Sequence, residues 1–253
     1  TASRPNQQNG ISLGNSSNNV IGGTTAAARN VISGNKLDGI ELGGNGNVVQ
    51  GNYIGTNAAG TAAIPNDSDG VSISNAASTN NLIGGSAAGA GNVISGNQRA
   101  VFITASGNTI QGNLIGTNPA GTQKIANLTG LQITGQNNQV GGLTAGARNV
   151  ISGNTSTGLV ITGAGSKVQG NYIGTDITGT VALGNGGSGV SAGDNVLIGG
   201  TTPEERNIIS ANLGNGNVVL GENFPSDAVT VRGNYIGTDV TGTKALGNSA
   251  LNV

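Results

Sequence analysis

Three arginines and three tyrosines recur at matching positions of this sequence, and their side chains are the ones best suited to bind a ligand. Each arginine closes a loop just before a short apolar segment, and each tyrosine opens the segment Tyr-Ile-Gly-Thr. A guanidinium group pairs with anionic groups, and a tyrosine ring offers an apolar face to a sugar. The pattern predicts a carbohydrate-binding stripe formed by Tyr53, Tyr172, Tyr235, Arg29, Arg148 and Arg206.

The same residues also fit a purely structural role. Each arginine could hydrogen-bond backbone carbonyls at the corner of its own loop, and one copy of the loop has Gly91 instead. The tyrosines share their face with other residues that loops could cover, namely Val31, Val93, Leu114, Val150 and Ile208. The apolar loop residues available as a cover are Ile64, Ile125, Leu183 and Leu246. We expect the loops to bury the rings, whereas exposed rings beside a groove would favour carbohydrate binding.

A second candidate site is a calcium-binding turn in two loops that contain Gly-Thr-Asp. Asp176 and Asp239 would each supply a carboxylate, and threonine hydroxyl and backbone carbonyl oxygens are further hard ligands. Two other copies of the loop carry Asn57 and Asn118 at this position, and one carboxylate per loop gives weak affinity at best. Because Asn and Asp both accept backbone N–H groups in tight turns, the alternative is a structural turn.

Catalysis has few candidate residues in this sequence. The chain contains no Cys and no His, which removes thiolate nucleophiles and the commonest general base. Glycosidases need two carboxylates about 5–9.5 Å apart. The acids that adjacent repeats would bring together near a basic residue, Lys36, are Asp38, Glu41, Asp67 and Asp69. A solvated corner is the simpler explanation of this group, so we predict no catalytic residue.

The composition excludes several classes of function. Of 253 residues, 48 are Gly, 8% are charged and 2% are aromatic, while 35% are hydrophobic with many Val and Ile. A net charge of −1 gives no basic surface for nucleic acid. No apolar run approaches the roughly 18 residues of a membrane helix, and no signal peptide is visible. We therefore expect an ordered chain that binds no nucleic acid and does not insert into a membrane.

Four super-repeats of about 60 residues make up the chain: 10–69, 70–129, 130–188 and 189–253. Each contains two units of three short strands, closed by Asn or Gly, in which apolar residues alternate. Odd units carry an insertion between their first and second strands, at 22–29, 84–91, 141–148 and 199–206. Even units carry the Gly-Thr insertion between their second and third strands. Two ridges of loops should therefore run along the molecule.

Three short strands per unit predict an all-β parallel solenoid of about eight three-strand coils. Asn and Gly tolerate the left-handed backbone that sharp corners need, and strands of successive coils should stack about 4.8 Å apart in parallel sheets. The predicted inward column is Ile32, Ile54, Ile94, Ile115, Ile151, Ile173, Ile209 and Ile236. We expect one domain over 1–253 without recognisable caps. It would be part of a longer array or would stack end to end on neighbouring molecules.

The frame N-x-I-x-G-N-x-I followed by G-[IV]-x-I resembles the repeats of right-handed parallel β-helices in the pectate-lyase-like superfamily. More narrowly, it resembles the Asn/Gly-rich β-helix repeats of large bacterial secreted and surface proteins, over residues 10–253. Lyases of that superfamily use acidic residues to hold calcium and an arginine to abstract a proton, and no such signature matches here. Together with the absence of Cys, the resemblance implies an extracellular or cell-surface protein.

Two functional hypotheses follow from the resemblance. The first is a non-catalytic structural, spacer or adhesive module of a larger bacterial surface or secreted protein, with no cofactor and with polysaccharide or neighbouring β-helices as partners. The second is a carbohydrate-binding or polysaccharide-degrading β-helix, because this superfold hosts lyases and hydrolases as well as adhesive stalks.

Overall fold

A computed structural model describes residues 6–221 and 227–247 of the chain as a parallel β-solenoid. The chain passes through three short strands in each coil, and equivalent strands of successive coils pair in parallel. Three sheets of eight strands result, so the chain completes about seven turns between the first and last strand of a sheet. The prediction of an all-β parallel solenoid is confirmed.

The strands are only two to five residues long, and we name the sheets A, B and C. Sheet A contains β1 (Ile11–Ser12), β4 (Ile40–Glu41), β7 (Asp69–Ile73), β10 (Arg99–Ile103), β13 (Thr129–Ile133), β16 (Leu159–Ile161), β19 (Val190–Ala192) and β22 (Val218–Leu220). Sheet B contains β2 (Val20–Gly22), β5 (Val48–Gln50), β8 (Leu82–Gly84), β11 (Thr109–Gln111), β14 (Gln139–Gly141), β17 (Lys167–Gln169), β20 (Leu197–Gly199) and β23 (Thr230–Arg232). Sheet C contains β3 (Val31–Ile32), β6 (Tyr53–Ile54), β9 (Val93–Ile94), β12 (Leu114–Ile115), β15 (Val150–Ile151), β18 (Tyr172–Ile173), β21 (Ile208–Ile209) and β24 (Tyr235–Ile236).

Alternate residues of each strand face the interior, and equivalent positions stack from coil to coil. In sheet C, Ile32 pairs with Ile54 and Ile54 with Ile94, and the same register continues to Ile236. The isoleucines from Ile54 to Ile209 are fully buried. Each contributes about 1.5–3 kcal/mol of transfer free energy, which backbone ordering largely offsets. The predicted inward column is therefore confirmed from Ile32 to Ile209, and Ile236 continues its register in the last described coil but is 45% exposed.

Asparagine side chains form a ladder at each of the three corners of the solenoid. The corner before sheet A has Asn35, Asn66, Asn97, Asn127, Asn154, Asn185, Asn212 and Asn217. The corner before sheet B has Asn19, Asn47, Asn81 and Asn108, and there Oδ1 of Asn138 accepts the backbone N–H of Asn108. The corner before sheet C has Asn30, Asn52, Asn92, Asn113, Asn149, Asn171, Asn207 and Asn234.

The ladder before sheet C shows how these buried amides are satisfied. Each Nδ2 donates to Oδ1 of the asparagine in the next coil, at 2.9–3.2 Å from Asn30 to Asn234. The same Nδ2 also reaches backbone carbonyls, as in the 2.9 Å bond from Asn113 to Ile83. Buried polar groups are nearly always hydrogen-bonded in stable proteins, and here the asparagine of each coil supplies the partner for the asparagine of the neighbouring coil. The predicted amide ladder through Asn30, Asn92, Asn149 and Asn207 is confirmed.

Two ridges of loops flank sheet C, as the repeats predict. The odd-coil loops (22–29, 84–91, 141–148 and 199–206) contain the 3₁₀ turns Ala26–Ala28, Ala145–Ala147 and Pro203–Glu205. The hairpin loops (55–65, 116–126, 174–184 and 237–247) are each closed by an antiparallel bridge such as Thr56 with Ala63. Successive hairpin loops touch, since Ile177 N donates to Gly121 O at 3.0 Å. Within the described ranges, no helix is long and apolar enough to cross a membrane.

Candidate functional site

The six residues of the predicted stripe come together as three stacked pairs. Each arginine lies over the tyrosine of the following coil. The guanidinium carbon is 4.0–4.1 Å from the ring centroid in the pairs Arg29–Tyr53, Arg148–Tyr172 and Arg206–Tyr235. At this separation the cation is attracted to the electron-rich ring face, by about 0.5–2 kcal/mol.

A backbone carbonyl holds each guanidinium in place over its ring. Nε donates to a glycine of the following coil at 2.9–3.2 Å, in the pairs Arg29–Gly51, Arg148–Gly170 and Arg206–Gly233. The parallel register explains the arrangement, because the arginine precedes one ladder asparagine while the glycine and the tyrosine flank the next. The expectation that each arginine binds a corner carbonyl is confirmed.

The hairpin loops cover the tyrosine rings. A Cβ added to Gly60 would lie 3.1 Å from the ring of Tyr53, and one added to Gly179 would lie 2.9 Å from that of Tyr172. Both glycines have positive φ, so the turn needs glycine for its backbone as well as for the close approach. Tyr53 and Tyr172 are 9% and 5% exposed, and the expected burial is confirmed for these two rings. A sugar would have to displace the arginine to stack there, and the carbohydrate stripe stays a prediction.

The two aspartates proposed as calcium ligands organise the hairpin turns. Oδ1 of Asp176 accepts the hydroxyl of Thr178 at 2.8 Å and the backbone N–H of Val181 at 3.1 Å. Asp239 accepts the hydroxyl of Thr241 at 2.6 Å, and this bond in particular lowers the pKa of Asp239. Asn118 accepts backbone N–H groups in the same turn position. The arrangement satisfies the structural-turn alternative, and calcium binding stays a prediction.

An ion pair on sheet A involves one of the acids singled out in the sequence. Nε and Nη2 of Arg99 donate to the two carboxylate oxygens of Asp69 at 2.6 and 3.0 Å. The guanidinium carbon of Arg99 also lies 3.8 Å from the ring centroid of Phe102. Burial raises the pKa of Asp69, although Arg99 opposes the shift. Asp38 lies close enough to add to that rise, and its Oδ2 accepts the hydroxyl of Ser72 at 2.6 Å.

The remaining acids of this group have separate partners. Lys36 pairs with Asp67 at 2.7 Å, and both side chains are about half exposed. Oε2 of Glu41 accepts hydrogen bonds from Asn9 and Ser12, both at 2.8 Å. Across the residues that the structure describes, no three acidic side chains converge in a way that could hold a metal ion. The group is thus divided between two ion pairs and a set of side-chain hydrogen bonds.

A cavity of about 530 Å³ lies between the two loop ridges in the second super-repeat, where the arginine–tyrosine pair is missing. Gly91 takes the place of the arginine and Leu114 that of the tyrosine. A Cβ at residue 91 would lie 2.0 Å from the carbonyl oxygen of Gly112, so the backbone here leaves no room for a side chain. The lining includes Gly85, Ala87, Ala88, Gly91, Gly112, Leu114, Pro119, Gly146, Arg148, Val150 and Ile177.

Comparison of this chain with protein-family models, with curated proteins and with solved structures finds no match. The parallel β-solenoid architecture by itself hosts many unrelated activities. Function therefore has to be argued from the side chains and surfaces described above.

Two features of these sites were not predicted, although the sequence carries a signal for each. The repeat that has Gly91 instead of arginine is also the repeat that has Leu114 instead of tyrosine, so the two positions change together. That joint change indicates contact. Arg99 follows Asp69 by 30 residues, which is about one coil, and this spacing places opposite charges side by side on adjacent strands.

Proposed function

We propose that this chain is a non-catalytic structural or spacer module of a larger extracellular bacterial protein. The observation that carries the proposal is the stacking of coil on coil through the core columns and the asparagine ladders. In a solenoid each coil is stabilised mainly by its two neighbours, so a regular stack of this kind forms a stiff rod. Stiffness over a fixed length is the property that a spacer needs.

The charged side chains that could bind a ligand or catalyse a reaction support this proposal, because their hydrogen bonds and ion pairs are made within the protein. Each stacked arginine joins an odd-coil loop to the following coil, and Asp176 and Asp239 bind their own turns. Arg99 and Asp69 join two adjacent strands of sheet A. These groups stabilise the rod and its loops, which favours a structural role over catalysis.

The partners that fit a spacer or adhesive module are neighbouring β-helices, stacked end to end, and polysaccharide. Among the described residues, the first and the last strand of each sheet pair with a neighbouring strand on one side only, and Ile236 in the last described coil is 45% exposed. Backbone groups and apolar residues at an open edge can pair with an equivalent edge of another molecule. We place end-to-end contact first because it would continue the stacking that forms the rod itself.

Distance measurement between two spin labels tests the spacer function. The chain has no Cys, so Ser12→Cys and Val219→Cys introduce two unique labelling sites in one outward column of sheet A. Seven coil spacings of about 4.8 Å put them about 34 Å apart. We expect a narrow distance distribution around that value, in the isolated chain and within a longer polypeptide. A broad distribution would contradict a stiff spacer.

A carbohydrate-binding or polysaccharide-degrading role is the second candidate function. The observation that favours it is the raised pKa of Asp69 beside Asp38 and Arg99, because perturbed carboxyls with a cationic neighbour also occur in active sites. Incubation with acidic polysaccharides, followed by measurement of new reducing ends and of unsaturated products, tests the activity. Product that forms with the parent chain and is lost in Asp38→Asn, with the fold retained, would favour this role over the spacer.

A further inference from the structure

The cavity of the second super-repeat occupies a place that the other three super-repeats fill with their own side chains. In those repeats an arginine lies 4.0–4.1 Å above a tyrosine ring between the two ridges of loops. In the second super-repeat Gly91 and Leu114 leave about 530 Å³ there, within the usual range of small-molecule pockets. The neighbouring repeats thus show what kind of group this site accommodates, namely a flat ring next to a cation.

The lining has an apolar part and one charge. Leu114 and Val150 are adjacent residues of sheet C, and Pro119 and Ile177 come from two successive hairpin loops. Much of the remaining lining is glycine and alanine, which lets a ligand approach the backbone closely. The cavity lining includes Arg148 and contains no acidic residue to neutralise it.

Arg148 has unused hydrogen-bonding capacity. Its Nε donates to Gly170 O at 3.2 Å, and the plane of the guanidinium lies over Tyr172. Within the described part of the chain, Nη1 and Nη2 of Arg148 have no hydrogen-bond partner. Two terminal amino groups in one plane match the two oxygens of a carboxylate, and the stacked ring and the carbonyl keep the group oriented.

We propose that this cavity binds a small planar aromatic carboxylate. The ring lies against Leu114 and Val150 between the loop ridges, and the carboxylate pairs with the guanidinium of Arg148. Planarity is selected because the equivalent space in the other super-repeats is filled by a tyrosine ring. Charge is selected because Arg148 has no acidic partner in the cavity. This site is separate from the spacer role and does not depend on it.

Titration with benzoate, followed by the chemical shifts of backbone amides in NMR spectra, is the direct test. A ligand of this size should bind with a dissociation constant on the order of 1 mM. The shifted amides should cluster at Gly85–Gly91, Gly112–Leu114 and Ala145–Arg148. Benzamide, which has no charge, and cyclohexanecarboxylate, which has no flat ring, should each bind at least fivefold more weakly. Equal binding of all three ligands, or no saturable binding of benzoate up to 10 mM, a concentration about tenfold above that constant, would overturn the proposal.

Three variants test where the ligand binds. Leu114→Tyr fills the cavity with the residue that other super-repeats have there, and Arg148→Gln removes the charge; each should weaken benzoate binding at least tenfold. Arg29→Gln is the matched control, because Arg29 has the same carbonyl and ring contacts as Arg148 but lies away from the cavity. It should keep binding within twofold. Loss of binding in Arg29→Gln equal to that in Arg148→Gln would show a general structural effect and refute the site.

Discussion

The second and third super-repeats share the same three sheets and the same strand register but differ in what covers sheet C. The third has Arg148 stacked on Tyr172, while the second has Gly91 and Leu114 and a cavity in the same place. The core beneath this face is the same in both super-repeats, because Ile115 and Ile173 are both fully buried and the strands of sheet C keep one register. The solenoid is therefore specified by its core columns and its ladders. The outer pair can be lost from one repeat without loss of the coil, which leaves the outer face free to vary.

The largest loss of stability that we expect comes from removing a ladder asparagine, and it should be equal in the two super-repeats. Asn113→Ala and Asn171→Ala each remove a buried amide that pairs two coils and leave several buried groups unpaired. Each should lower the free energy of unfolding by about 3–6 kcal/mol. Denaturant unfolding followed by circular dichroism checks this. A clear difference between the two variants would mean that the ladder is weaker where the outer pair is missing.

The second prediction converts one super-repeat into the other. Arg148→Gly combined with Tyr172→Leu gives the third super-repeat the side chains of the second, and should reduce the free energy of unfolding by about 2–4 kcal/mol through lost packing and lost cation–ring attraction. Denaturant unfolding measures the loss. The two single variants complete a double-mutant cycle, whose coupling energy should be about 0.5–2 kcal/mol. Independent effects of the two substitutions would show that the stacking adds no stability.

The reverse change is expected to stabilise the chain. Leu114→Tyr places in the second super-repeat the residue found in the other three, and filling the cavity should raise the free energy of unfolding by about 0.5–2 kcal/mol. Leu114→Ala is the control and should destabilise, since it enlarges the cavity. If Leu114→Tyr destabilises as well, the loops of this repeat have closed too far to accept a ring, as the close approach of Gly112 to Gly91 would then explain.

The smallest effect concerns the hairpin turns, where the first two super-repeats have Asn and the last two have Asp. The hydroxyl of Thr241 holds the pKa of Asp239 below its ordinary value of 3.8, so ionised Asp239 stabilises the folded state at neutral pH. That stabilisation is lost as the pH falls through the lowered pKa. The parent chain should therefore have a slightly higher melting temperature than Asp239→Asn at pH 7, and no advantage in strong acid. Asn118→Asp should show a weaker pH dependence, because its turn has Ala120 where that of Asp239 has Thr241 and only backbone N–H groups are left to bind the carboxylate. An equal pH dependence in Asn118→Asp would show that the backbone N–H groups, and not the hydroxyl, lower the pKa of Asp239.

The coil could be predicted from the sequence because its determinants are local and repeated. The column from Ile32 to Ile209 and the corner asparagines follow directly from the period, and the structure confirms both. The way in which the loops cover the outer face of sheet C was predicted only in part. The close contacts to the rings of Tyr53 and Tyr172 come from the turn glycines Gly60 and Gly179, and the direction in which a loop leans is set by contacts between loops 60 residues apart.

The cavity illustrates the same limit. Gly91 and Leu114 are visible in the sequence as exceptions to the repeat, but the repeat alone does not say whether the loops collapse onto the smaller residues or leave a space. Whether a space remains depends on Pro119 and Ile177, which belong to two different hairpin loops and both line the cavity. Contacts of this kind depend on tertiary packing, which local patterns do not encode.

The asparagine ladders have one further consequence, which concerns direction. From Asn30 to Asn207 one N–H of each side-chain amide donates to Oδ1 of the asparagine in the later coil, so each of these oxygens accepts from the earlier coil. The ladder before sheet A has the same sense from Asn35 to Asn185. Aligned amide groups polarise one another, and their dipoles add instead of cancelling. The molecule is thus an electrically polar bar whose moment grows with each coil. Two such bars lying side by side attract when they are antiparallel and repel when they are parallel.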